Sequence, residues 1–294
     1  MLFGAIEAGG TKMVLAVGDE NGKIHEMRVI PTEEPEITLP KIMAFFDGTN
    51  VAALGIGAFG PVNLRRGSRD YGRILHTPKR LWQGLSWTDA FAEMGCPLEV
   101  DTDVNAACLG EVMHGNGIGL SDVVYITVGT GIGAGVWSQG KLLHGTMHPE
   151  AGHIPVRPHP SDTYEGNCPF HKCCLEGMAA GPALEKRCGV RAEELPCTDP
   201  VWELEAEYIA QALMTYTLCY SPQKIILGGG VMKQPSLPAL IREKTAVYLN
   251  GYIENEALQD MENYIVTAGL EGRQGIVGCL ALAGKAWNER RLYS

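Results

Sequence analysis

Asp103 stands where an apolar strand should end and a helix begin, in the run Asp101-Thr102-Asp103-Val104-Asn105-Ala106-Ala107. Carboxylates and hydroxyls at such a junction satisfy the first helical N–H groups, and Asp101 or Thr102 could do that alone. Asp103 is then left as a carboxylate at the C-terminal end of a strand, the edge where α/β proteins build their sites. In phosphoryl transfer to an alcohol, a carboxylate accepts the hydroxyl proton and orients the attack. Asp103 is the candidate for that role.

Three glycine-rich turns each follow an apolar strand: Ala8-Gly9-Gly10-Thr11-Lys12, Gly129-Thr130-Gly131-Ile132-Gly133 and Gly228-Gly229-Gly230. Glycine lets backbone N–H groups approach a ligand closely, and such nests hold phosphate oxygens. Thr11 and Thr130 add hydroxyls and Lys12 adds charge. One such turn would serve any tight hairpin. Three of them point to a nucleotide held between two lobes. No stretch matches G-x-x-x-x-G-K-[ST]. Residues 55–60 do match G-x-G-x-x-G, but Pro61 and a polar run follow in place of a packed helix and no acidic residue closes a second strand at the expected distance, so the match reads as accidental.

Cys168-x-x-His171-x-x-Cys174, with His153 upstream, offers four nitrogen and sulfur ligands. That set suits a closed, tetrahedral, structural Zn2+, in a proline-rich loop ordered by metal in place of an apolar core. Cys173 is an alternative to Cys174. Glu150 could accept from sugar hydroxyls, although alone it would be an ordinary surface carboxylate. The basic run Arg65, Arg66, Arg69, Arg73, Lys79, Arg80 reads as a solvated face. Cys96, Cys188, Cys197, Cys219 and Cys279 read as small buried fillers, and Trp82 and Trp87 as packing residues.

These residues need strands to end at them. Apolar runs predict strands over residues 2–7, 13–17 and 23–30, with Asn21-Gly22 as a hairpin turn, then 51–56 and 98–101. A second strand–turn–strand–turn–strand unit follows over 123–128, 134–137 and 141–143, which reads as an internal duplication. Strands at 224–227 and 264–267 complete the set. Helices are predicted over 39–46 (Pro40 in the first turn), 103–114, 202–220, 240–250 and 275–287, and residues 63–83 as an irregular stretch over a cleft. Alternating strands and helices define an α/β chain. The expected division is a small α/β domain at 1–117, completed by a C-terminal helix at 275–294, and a larger one at 118–274 carrying the metal loop.

The 294 residues, 45% hydrophobic and 20% charged, suffice for two modest domains. A net charge of -10 is a poor match for a nucleic-acid backbone. No basic leader precedes the first strand and no apolar run approaches a membrane span. The expected location is the cytoplasm, with the 9 cysteines reduced.

Taken together, the chain resembles the ROK family of sugar kinases and sugar-responsive repressors, in the family's order and over most of its length. Glu7-Ala8-Gly9-Gly10-Thr11-Lys12 resembles the first phosphate motif, Gly60-Pro61-Val62 a sugar-side loop and Asp103-Val104-Asn105-Ala106-Ala107 the catalytic segment. Gly129-Thr130-Gly131-Ile132-Gly133 resembles the second phosphate loop. Glu150-Ala151-Gly152-His153 with Cys168, His171 and Cys174 resembles the zinc segment, and Ile226-Leu227-Gly228-Gly229-Gly230-Val231 the adenosine-side motif. Glu7 stands where most members have Asp, and Cys168-Pro169-Phe170-His171 where glucokinase-like members have Cys-x-Cys-Gly. Both variants, and Thr77-Pro78-Lys79, resemble the bacterial fructokinase branch.

The resemblance implies an actin-like (ribonuclease H-like) two-lobed kinase fold with the site in the interdomain cleft, and an ATP-dependent hexose kinase, fructokinase first. Asp103 would be the general base; Gly60, Asn105, Glu150 and His153 would contact the sugar, His153 also binding zinc. Gly9, Gly10, Thr11, Lys12, Gly129, Thr130, Gly131, Gly228 and Gly229 would face ATP, Mg2+ would accompany it, and the protein would be a homodimer. A sugar-sensing repressor would carry a DNA-binding domain ahead of the first motif, for which a strand at residue 2 leaves no room. A sugar-binding protein without catalysis, or a kinase for glucose, mannose or N-acetylmannosamine, are the remaining alternatives.

Overall fold

Every residue of β1 (Phe3–Ala8) except Glu7 is buried, as expected of a strand at the centre of a sheet. The computed structural model describes residues 1–293. β1 pairs antiparallel with β2 (Lys12–Gly18), and β2 with β3 (Ile24–Pro31). On the other side of β1, β4 (Leu54–Ala58) and β5 (Leu98–Thr102) add in parallel, giving the order β3-β2-β1-β4-β5. The second sheet repeats this scheme. β6 (Asp122–Val128) pairs antiparallel with β7 (Ile132–Ser138) and parallel with β9 (Lys224–Gly228), which pairs with β10 (Ile265–Thr267). With β8 (Lys141–Leu142) the order is β8-β7-β6-β9-β10. In both sheets the first strand is central, flanked by the second and the fourth, as the duplicated sequence pattern requires.

The chain divides into two compact units. One holds Met1–Ile118, Leu142–His148 and the chain from Gly269 onward; the other holds Gly119–Lys141 and Pro149–Ala268. The expected boundary left residues 142–148 with the second domain. They group with the first because His144 and His148 find their hydrogen-bond partners there.

In the first unit, Ile6, Leu15, Ile56 and Val100 form the sheet's share of the core. Trp82 stacks on Trp87 at 5.6 Å and Trp87 on Phe91 at 6.2 Å, so both tryptophans pack as expected. The helix Gln274–Tyr293 runs over the helix Asp103–His114 at very short range: a Cβ on Gly278 would lie 1.6 Å from the carbonyl oxygen of Ala106. The closing helix therefore starts one residue before the expected 275, and of its expected extent Ser294 lies outside the described residues.

Three expectations need correction. The first helix spans Pro35–Phe46, so Pro40 sits in its interior. Pro35 takes the first turn instead, where its missing N–H costs nothing. Cys197 and Cys219 are exposed and Cys96 and Cys188 half-buried; only Cys279 of that group is a buried filler. Two helices, Leu175–Ala179 and Gly181–Cys188, occupy residues for which the sequence pattern had suggested no element. No helix among the described residues is long and apolar enough to cross a membrane.

Candidate active site

The junction at Asp103 is built by its neighbours. Thr102 is the N-cap: its Oγ1 accepts the Asn105 N–H at 3.1 Å. Asp101, 2% exposed, accepts from the Thr102 N–H at 2.8 Å and from Asn105 Nδ2 at 2.7 Å. Capping is thus done without Asp103, whose Oδ1 accepts the adjacent Val104 N–H at 2.8 Å. Burial pushes the Asp103 carboxyl up to about 6, against the pull of that N–H. A carboxylate near 6 is ionised at neutral pH yet basic enough to take a proton.

Asn105 is 1% exposed and its amide nitrogen is committed to Asp101. That bond makes it part of the turn's scaffold and orients the rest of its amide. At the other end of this scaffold His144 Nε2 lies 3.0 Å from Asp101 Oδ2. The loop Gly60-Pro61-Val62 is held by the same chain segment, with the Val62 N–H donating to His148 Nε2 at 3.3 Å.

Glu7 closes β1 beside this turn. Burial, and then the charge of Asp103, push its carboxyl up to about 7, opposed by Lys12. Sequence reasoning noted Glu7 only as a departure from the family's aspartate and missed this coupling. It arises because β1 and β5 flank β4 in parallel register, which brings the C-terminal ends of all three together.

At the first turn the carbonyls are used and the donors left open. Gly9 O accepts from Thr32 Oγ1 at 2.7 Å, and Thr11 O from the Thr32 N–H at 3.0 Å. The N–H groups of Gly10 and Thr11 have no acceptor among the described residues. Thr11 and Lys12 are exposed. Such a turn can take anionic oxygens.

In the second unit the turn Gly129–Gly133 is pinned by two contacts: the Gly181 N–H donates to Gly129 O at 2.8 Å, and the Ile132 N–H to Glu176 Oε2 at 3.0 Å. Thr130 stays exposed. Gly229 follows β9 with φ +94°, and a Cβ there would meet Val128 O at 2.2 Å; only glycine fits.

His153, Cys168, His171 and Cys174 bring their ligand atoms within 4.8 Å of one another. Cys174 Sγ is 3.5 Å from His153 Nδ1, and Cys168 Sγ is 3.7 Å from both His153 Nδ1 and His171 Nδ1. Ligands at Zn–S of about 2.3 Å and Zn–N of about 2.0 Å on a tetrahedron stand roughly 3.3–3.8 Å apart, with sulfur–nitrogen pairs at about 3.5 Å. Donor chemistry and spacing both fit that ion. Cys174, not Cys173, belongs to the cluster. Glu176, which sequence reasoning missed, lies two residues beyond Cys174. Its Oε1 is 3.8 Å from His153 Nε2 while its other oxygen holds the Gly129–Gly133 turn, so it ties the cluster to a candidate phosphate turn. Glu150 is exposed and its carbonyl accepts the His153 N–H at 3.0 Å.

Two mixed sheets of identical strand order, each ending in glycine turns, are the α/β fold of the actin-like kind. The profile of the ROK family matches residues 3–286, and the chain belongs to that family. It is 45% identical over 287 residues to the fructokinase of Pediococcus pentosaceus, covering 97% of this chain and 99% of that one. It is 43% identical over 291 residues to the fructokinase of Streptococcus mutans, covering 97% and 98%. Among solved structures, a ROK family glucokinase from Streptomyces griseus in complex with glucose and AMPPNP superposes with a TM-score of 0.77 at 28% identity, covering 97% of this chain and all of the other.

Proposed function

We propose that the chain is an ATP-dependent fructokinase, converting fructose and ATP to fructose 6-phosphate and ADP. The observation that carries this is Asp103, a carboxylate freed from capping at the end of β5 and held near 6, in a chain 45% and 43% identical to fructokinases and 28% identical to a glucokinase.

In the reaction, Asp103 accepts the proton of the sugar's 6-hydroxyl as that oxygen attacks the terminal phosphorus. The bond from that phosphorus to the β–γ bridging oxygen breaks, and its electron pair leaves with ADP. The open N–H groups of Gly10 and Thr11, with Lys12, hold phosphoryl oxygens, as does the turn at Gly129, Thr130 and Gly131. Transfer of this kind rests on positioning and charge stabilisation. Gly228 and Gly229 face the nucleoside. Gly60, Asn105, Glu150 and His153 face the sugar. Magnesium accompanying ATP offsets phosphate charge. Zinc held by His153, Cys168, His171 and Cys174 orders the loop that presents His153. Family likeness adds a homodimer working in the cytoplasm.

The test is ATP consumption with magnesium against fructose, glucose, mannose and N-acetylmannosamine. Fructose should give the highest kcat/KM. A higher value with another hexose overturns the substrate, and no turnover with any of them overturns the kinase.

A further inference from the structure

Lys79 belongs to the basic run that the sequence offered as a solvated face. In the fold it does something more specific. Its Cε lies 3.3 Å from where a Cβ on Gly10 would stand, so the side chain crosses the first glycine turn at contact distance. A larger residue at position 10 would push it away.

Lys79 is half-buried and makes no ion pair among the described residues. Elsewhere in the run Arg66 pairs with Glu99 and Glu289 and Arg73 with Asp70 and Asp89, while Arg65, Arg69 and Arg80 are exposed. Lys79 is the member of the run held half out of water without a carboxylate partner, a placement in which lost solvation is offset once an anion supplies the partner. Its placement is also enforced. The next turn, Arg80–Trp82, is anchored by Trp82, which is 2% exposed and donates from Nε1 to the Glu33 carbonyl at 2.9 Å. Thr77, 3% exposed, fixes the other side. Lys12, in the same turn, is exposed and its charge also reaches the Glu7 carboxyl. Lys79 therefore adds a second positive charge, half-buried and without a carboxylate partner, at Gly10, whose N–H is open.

We infer that Lys79 is a further catalytic residue, whose ammonium group binds an oxygen of the phosphoryl group being transferred. This rests on the kinase reading above. The ligand is the terminal phosphoryl of a nucleoside triphosphate, which distinguishes Lys79 from a general contributor to nucleotide binding: it should sense ATP and not ADP. No bond to Lys79 forms or breaks; it stabilises charge as the phosphoryl moves from the β–γ bridging oxygen to the sugar oxygen. Losing one such preorganised donor costs on the order of 100-fold in rate.

The experiment compares wild type, Lys79→Met and Lys79→Arg in fructose-dependent ATP turnover, with calorimetric Kd values for ATP and ADP and thermal melts. Lys79→Met should lower kcat about 100-fold, leave KM for fructose within about threefold, and weaken ATP while leaving ADP unchanged. Lys79→Arg should recover at least about a tenth of the lost rate, because it keeps the charge. Wild-type turnover with a fully active Lys79→Met overturns the inference while leaving the kinase reading intact. Equal loss of ATP and ADP affinity at unchanged kcat also overturns it. Absence of turnover in wild type strikes the kinase reading instead. Should Lys79→Met melt early, Lys79→Arg decides alone: a rate at the Met level argues against a charge role.

Discussion

His144 Nε2 and the Asp101 carboxylate, 3.0 Å apart, link a seven-residue detour of the chain to the turn that carries Asp103. Asp101 is almost wholly buried while His144 is one third exposed. The pair therefore satisfies a carboxylate that already holds the Thr102 N–H and Asn105. The hydrogen bond to Asp101, and then its charge, raise the His144 imidazole above its ordinary 6.5, with burial and the charge of Lys285 opposing.

A group raised in the folded state stabilises fully below its unfolded value and loses that contribution as pH rises through the folded one. His144→Ala should therefore lower the melting temperature most near pH 6 and least above pH 8. His144→Gln, which keeps a donor, should recover much of the loss at the higher pH. A difference between wild type and His144→Ala that grows with pH would contradict the pairing. Turnover should fall about tenfold in His144→Ala with KM for ATP unchanged, since only the base's support is loosened.

Asp103 lends itself to a paired test. As a base it works only when ionised, so kcat/KM for fructose should fall about tenfold per pH unit below about 6. Asp103→Asn should lower kcat on the order of 1,000-fold. The same raised value means that the folded state binds the proton more tightly than the unfolded chain does, so ionisation lowers stability as pH rises from 3.8 through about 6. Asp103→Asn should accordingly melt higher than wild type at pH 7.5. A variant that loses activity but also melts lower would mark Asp103 as structural.

Much of this site was legible in the sequence, and for identifiable reasons. The helix at Asp103–His114 was placed to the residue because Thr102 is a local cap acting three residues ahead. The glycine turns and the Cys168, His171, Cys174 spacing are local as well. What escaped is long-range. Nothing near His144 announces Asp101, 43 residues back. Glu176 drew no notice until the fold brought Ile132 of β7 to it, 44 residues away in sequence. Lys79 looked like one of several solvated bases until Gly10 appeared beneath it. Pro40 was misplaced because an earlier proline, Pro35, was free to open the helix.

Gly278 should prove intolerant of any side chain. A Cβ there would stand 1.6 Å from Ala106 O and 3.0 Å from the Gly110 nitrogen, backbone atoms of the helix that begins with Asp103. Relief requires the two helices to part. Gly278→Ala should cost about 3 kcal/mol, the upper end of what overpacking usually costs, and lower the melting temperature by several degrees. Gly284→Ala, on the same helix, is the control, because its nearest neighbour would be the Phe3 ring at an ordinary 3.5 Å. Equal stability of the two variants would show that the helices do not cross where the structure puts them.

The metal cluster makes a prediction in which adjacent cysteines differ. Cys168 and Cys174 are buried within the group of four ligands; Cys173 is next in sequence yet outside it, and offers only its carbonyl, to the Val156 N–H at 3.4 Å. Protein purified without chelator should hold one zinc per chain by mass spectrometry. Cys168→Ser and Cys174→Ser should each lose most of it, and Cys173→Ser should keep it. Because a structural site contributes directly to folding, the first two variants should melt lower and become susceptible to proteolysis between Gly166 and Cys174. With His153 no longer fixed on the metal side, fructose affinity should weaken in them while ATP affinity holds. Full zinc content in Cys174→Ser with loss in Cys173→Ser would reverse the ligand assignment. Zinc lost from Cys168→Ser with fructose affinity unchanged would leave the metal structural and uncouple it from the sugar.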